Sequence, residues 1–139
     1  MKTQARLKQI VDSQYKPAPD GLVGNDDLGQ MSAWLVFTAL GFYPVAPASN
    51  QYVLGRPFVD RAIIHLPNGK FLTIASIGMN EAQSFLKDVV LNGQSLDRSY
   101  VTHEDLLQGG ELKFVFSTER DAAWSHRALR PPYSETFAQ

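Results

Sequence analysis

Two adjacent carboxylates, Asp26 and Asp27, lie in the run Asp20-Gly21-Leu22-Val23-Gly24-Asn25-Asp26-Asp27-Leu28-Gly29-Gln30, directly ahead of an apolar stretch that ends near Pro47. A carboxylate at the start of a helix faces partial positive charge, which favours its ionised form and suits it to work as a base. Asp27 stands where a helix N-cap is expected, and Gln30 three residues on completes the pattern of a capping box. Capping requires no substrate, so from these residues alone Asp27 reads first as a plain cap, with Asp26 as its solvated neighbour. Calcium binding of the EF-hand kind is excluded for Asp20 to Met31, because Leu22 holds the third position and Asn25 the sixth, where glycine is needed.

Other candidate groups are weaker. His65 falls inside a strand pattern and His103-Glu104 inside a capped turn, and no third ligand stands at metal-site spacing, so both histidines read as structural or exposed. Ser32 lacks the flanking glycines of a nucleophile elbow and reads as a helix-packing residue. Trp34, Phe37, Phe42 and Tyr43 read as core, with a sugar-stacking role left open for any that border the loop.

The elements that must position the carboxylates are two helices. Leu7, Ile10, Val11 and Tyr15 recur at three- and four-residue spacing within Lys2 to Tyr15, which predicts an amphipathic helix ended by Lys16-Pro17-Ala18-Pro19. A second helix is predicted from Asp27 to Gly41, with Gly41 at the C′ position and Pro44 beyond it. From Met31 to Leu40 it is apolar on almost every side, so it calls for more cover than one neighbouring helix can give. After Pro47 the pattern shortens to strands. Asn68-Gly69 and Asn92-Gly93 each sit between β-rich runs and predict hairpins. Leu112, Phe114 and Phe116 predict a last strand with one buried face, and Thr102 with Asp105 a capped helical turn closed by Gly109-Gly110. The fold class is therefore α+β: a pair of N-terminal helices over residues 1–47, an antiparallel β-segment over 48–118, and an irregular tail over 119–139 anchored by Trp124.

Composition narrows the partners. The 139 residues suit one ordinary domain or a piece of a larger one, and 44% hydrophobic content can fill its core. A net charge of −1, with no basic block, gives no footing for nucleic acid. No stretch approaches the roughly 18 apolar residues of a membrane span. The first residues are polar where a signal peptide carries an apolar segment, and the lack of cysteine does not assign a compartment.

Gly24-Asn25-Asp26-Asp27, Gly29-Gln30-Met31-Ser32-Ala33-Trp34 and Leu40-Gly41-Phe42-Tyr43-Pro44-Val45 together resemble the signature near the C-terminus of glycoside hydrolase family 92, the calcium-dependent exo-acting α-mannosidases. Leu91-Asn92-Gly93 and Tyr100-Val101-Thr102-His103-Glu104-Asp105-Leu106 resemble that family's last strands, in the same order. The resemblance covers roughly residues 6–118. It implies a fragment, inactive alone, of an enzyme that removes terminal mannose from glycans with inversion, its two helices closing an (α/α)6 barrel. It also implies that Asp27 is the catalytic base, with Asp26 as second candidate, and that Asn25 and Gln30 orient water, sugar hydroxyls or calcium ligands. Asp27 would be a partial Ca²⁺ ligand, while the general acid, a glutamate, lies outside this chain. Mannose-containing glycans would be the partners, a periplasmic or secreted location is suggested, and the exposed helices are expected to drive homo-oligomerisation. The reading from a different class is a non-catalytic carbohydrate-binding or structural β-module.

Overall fold

The computed structural model describes residues 2–46, 48–79 and 85–118, together with Trp124 and Ala128. Two helices lead, α1 (Lys2–Gln14) and α2 (Gln30–Leu40), and strands β1 (Phe42–Tyr43), β2 (Gln51–Leu54), β3 (Arg61–His65) and β4 (Phe71–Ile77) follow. The chain continues through β5 (Phe85–Leu91), β6 (Gln94–Ser95), β7 (Tyr100–Thr102), the short helix α3 (His103–Leu107) and β8 (Gly110–Ser117). The α+β class is as the sequence predicts. No described helix is long and apolar enough to cross a membrane.

The strands form two sheets, one of three strands in the order β1-β2-β7 and one of five in the order β3-β4-β8-β5-β6. Both Asn-Gly hairpins are present. Arg61 to His65 pair with Ala75 to Phe71, and Leu91 pairs with Gln94 across a two-residue turn. Asn92 and Gly93 both have positive φ in that turn, the backbone that a type I′ hairpin demands and that favours this dipeptide. The pairing is antiparallel with one exception: β8 enters the sheet centre, antiparallel to β5 but parallel to β4. No turn signal could announce that pair, because its strands lie far apart in sequence.

Alternation puts Leu112, Phe114 and Phe116 of β8 on one buried face, beside Leu72 and Ile74 of β4. On β5 a bulge between Leu86 and Asp88 shifts the register, so Leu86 and Val89 both turn inward despite their odd spacing. Phe42, Leu54 and Val101 of the small sheet, Leu106 of α3 and Trp124 join the same cluster, which makes one core for both sheets. The Trp124 indole donates to the Leu96 carbonyl at 2.7 Å. The rest of the expected tail falls outside the described residues.

Helix α2 is tied to the strands at its C-terminal end. Gly41 caps it in the left-handed conformation, its carbonyl accepts from the Gly55 amide at 2.8 Å, and the Phe58 amide donates to Ala39 at 2.9 Å. Phe37 packs against Phe42, Tyr43 and Tyr52. Of the helix's own residues only Thr38 is buried, and Val36 remains 58% exposed, so the apolar circumference read from the sequence is covered on one side only.

Candidate active site

The turn that carries the carboxylates differs from the sequence expectation in a definite way. The α-helix begins at Gln30, not Asp27, and a 3-10 turn, Asp27–Gly29, precedes it. Leu28 and Gly29 are both left-handed, with φ of 56° and 74°. Two successive left-handed residues turn the chain back on itself, which brings Asp26 over the open end of the helix and leaves Asp27 beside it. Asp27 is thus not the cap and makes no capping box with Gln30: Gly29 holds the N-cap position, and the side chain that satisfies the first-turn amides is that of Asp26. Its Oδ1 accepts from the Met31 amide at 2.7 Å and the Ser32 amide at 3.2 Å, and its Oδ2 accepts from the Ser32 hydroxyl at 2.5 Å. Ser32 is correspondingly a capping partner and not the packing residue that its apolar neighbours suggest.

The hydrogen bond from the Ser32 hydroxyl, helped by the Ser32 and Met31 amides, outweighs partial desolvation and holds the Asp26 carboxyl below the usual carboxylate range. The second brace comes from α1. The Tyr15 hydroxyl donates to the Met31 carbonyl at 3.2 Å, and its ring stacks on Trp34 at 5.7 Å. Burial, with the negative charge of Asp26 second, pushes the Tyr15 hydroxyl above its ordinary value. Tyr15 and Trp34 are visible in the sequence only as apolar positions of two helices; nothing in their spacing, 19 positions along the chain, marks them as a pair.

Asp27, Asn25 and Gln30 are exposed, and their side chains make no hydrogen bond or ion pair with another described residue. The structure thus brings the four sequence-selected residues onto one turn but separates their states: one carboxylate engaged, one carboxylate and two amides available. No group of three or more histidine, aspartate or glutamate side chains among the described residues converges on a metal position. A hard cation of the calcium kind takes about six to eight oxygen ligands, of which Asp27 and Asn25 could offer only a few. His65 instead meets the Phe71 ring edge-on, and His103 stacks on Tyr52, with Nδ1 3.2 Å from the Tyr52 hydroxyl oxygen.

A cleft of about 370 Å³ opens between α1, α2 and the β1–β2 pair, lined by Leu7, Trp34, Tyr43, Val53 and Arg56 among others. Its lining among the described residues is mostly apolar and includes no carboxylate. The carboxylate turn lies outside it, on open surface.

A sequence profile of the glycosyl hydrolase family 92 catalytic domain matches residues 1–118. The fold superimposes on a family 92 α-mannosidase from Bacteroides thetaiotaomicron with a TM-score of 0.82 and 39% identity, over 96% of this chain and 18% of that one. A family 92 inverting mannosidase from Bacteroides thetaiotaomicron VPI-5482 matches with a TM-score of 0.73 and 35% identity, over 89% of this chain and 18% of that one. An uncharacterized secreted glycosidase of Arthroderma benhamiae is 29% identical over 122 residues, 86% of this chain and 16% of its own length. The chain thus spans less than a fifth of the length of each of these relatives. With the profile match running from the first helix through the last strand, this chain belongs to glycosyl hydrolase family 92, within that family's catalytic domain.

Proposed function

We propose that the chain supplies one wall of the active site of an inverting exo-α-mannosidase, with Asp27 as the base that deprotonates the attacking water. The observation that carries this reading is the division of labour between neighbours: Asp26 is committed to Met31 and Ser32, whereas the Asp27 carboxylate is exposed and unengaged. Inversion requires a protonated carboxyl group on one side of the scissile bond and an ionised one on the other, roughly 6.5–9.5 Å apart to admit water. Adjacent residues on one turn cannot span a sugar ring, so Asp26 and Asp27 do not form that pair, and the acid belongs to a different segment of the catalytic domain. The similarity to mannosidases, one of them described as inverting, supports terminal mannose of glycans as the substrate.

Asn25 and Gln30 are assigned to orienting water and sugar hydroxyls, because their amides are exposed on the same turn. A Ca²⁺ ion is proposed as the cofactor, with the Asp27 carboxylate as one of its ligands. When bound, such an ion supplies coordination to sugar hydroxyls. The few oxygens offered here imply weak binding by the chain on its own, and no turnover. Residues 1–47 are assigned to the end of the helical barrel and 48–118 to the β-segment that follows it. The secreted relative supports a secreted or periplasmic setting.

The test is Asp27→Asn in the complete catalytic domain that carries this chain. Loss of the base lowers kcat by about a thousandfold while the circular dichroism spectrum stays unchanged. Turnover equal to that of the wild type would overturn the assignment. The anomer first released from an α-mannoside, read by NMR, is β for inversion.

A further inference from the structure

We propose that Ser32 is a positioning residue for the base: by donating its hydroxyl to Asp26 it locks the turn over residues 26–30 and so fixes where the Asp27 carboxylate points. The inference rests on the reading of Asp27 as base. Two contacts on Oδ1 alone, from the Met31 and Ser32 amides, leave the Asp26 carboxylate free to swivel about that oxygen. The Ser32 hydroxyl on Oδ2 supplies the second point and fixes the plane of the group.

The turn needs such a lock. Leu28 holds a left-handed backbone that is unfavourable for a residue with a Cβ, and its side chain is wholly exposed, so packing within the chain returns nothing for that conformation. Gly29 adopts the same region without penalty, and a Cβ there would meet no neighbour, so crowding does not hold this turn in place. Hydrogen bonds do: the Gly29 amide donates to the Asp26 carbonyl at 3.0 Å and the Gln30 amide to the Asp27 carbonyl, and two side-chain braces add to these. Asp26 grips the first turn of α2 from one side, and the Tyr15 hydroxyl holds the Met31 carbonyl from the other. Asp27 sits between the gripped residue and the left-handed pair, so its direction follows from both. Catalytic groups must be held to within about 0.5 Å, and a displacement of about 1 Å costs about a hundredfold in rate.

The test compares Ser32→Ala and Ser32→Thr with Asp27→Asn in the complete catalytic domain. Ser32→Ala should lower kcat by about 10- to 100-fold with KM shifted less than about threefold, since the turn and not the sugar contacts is disturbed. Ser32→Thr restores the hydroxyl and should return kcat to within about threefold of the wild type. Amide hydrogen exchange gives a second measurement: Ser32→Ala should speed exchange at Leu28 to Met31 and leave Phe37 to Leu40 unchanged. Wild-type kcat in Ser32→Ala, equal losses in Ser32→Ala and Ser32→Thr, or uniform acceleration along α2 would each overturn the proposal. Should Asp27→Asn retain full turnover, the base assignment itself fails and the inference falls with it. Loss in Asp27→Asn with no loss in Ser32→Ala sinks the inference alone.

Discussion

Asp26 and Asp27 share a side chain, a sequence neighbourhood and a helix terminus, yet the fold gives them opposite states. Asp26 accepts three hydrogen bonds and is thereby held ionised below the usual carboxylate range. The native state therefore binds fewer protons than the unfolded one between the depressed pKa and the ordinary value, and stability rises with pH across that window. The contribution is fully present above the ordinary carboxylate pKa and is lost as pH falls through the depressed one. Chemical denaturation between pH 6 and 2 should show a steeper loss for the wild type than for Asp26→Asn, whose side chain does not titrate. Parallel curves would show that the cap contributes no pH dependence. The types at this turn were legible in the sequence; which carboxylate caps was not, because the decision rests on φ at Leu28 and Gly29. A leucine in the left-handed region has no sequence signature.

At the level of elements, short-range signals other than the Asp27–Gln30 box read well. Both Asn-Gly hairpins, the Gly41 cap and the Thr102–Asp105 capping box depend on residues at most four apart, and all four are present. In the box, Asp105 Oδ2 accepts from the Thr102 amide and from Arg98, each at 2.7 Å, and the Thr102 hydroxyl accepts from the Asp105 amide at 3.2 Å. Thr102→Ala should therefore destabilise the chain by about 1 kcal/mol in urea unfolding. Gly41 is under heavier constraint: its φ is 88°, and a Cβ would lie 3.0 Å from the Phe114 ring and from Pro57. Gly41→Ala should cost about 2 kcal/mol from backbone strain alone, more if Phe114 cannot move. A loss well under that amount would show that the α2 terminus can rearrange without disturbing the core. The bulge on β5 and the parallel β4–β8 pair had no comparable local signal, since both are set by how distant strands must share one buried face.

Over the whole molecule the apolar surface divides into two fields. Ile10, Val23, Leu28, Val36 and Val45 are exposed on the helical half, and Ile63, Phe71 and Ile77 on the outer face of β3 and β4. Exposed apolar patches of this kind find partners. The chain by itself is expected to self-associate through the helical field, and Val36→Lys to shift the distribution towards monomer, both followed by concentration-dependent light scattering. A monodisperse wild-type monomer at high concentration would refute that expectation.

The sequence by itself determined the class of the fold, its Asn-Gly hairpins, the Gly41 and Thr102 caps, and the family. Each of these is written in the order of neighbouring residues, because turns, caps and helix faces are satisfied within a few positions of where they are encoded. The tertiary structure decided which strand fills the centre of the larger sheet, which aspartate is engaged and which is open, and that Ser32 and Tyr15 brace the turn between them. Those outcomes depend on groups far apart in the chain competing for the same donors and the same buried space, and that competition is settled only when the elements pack.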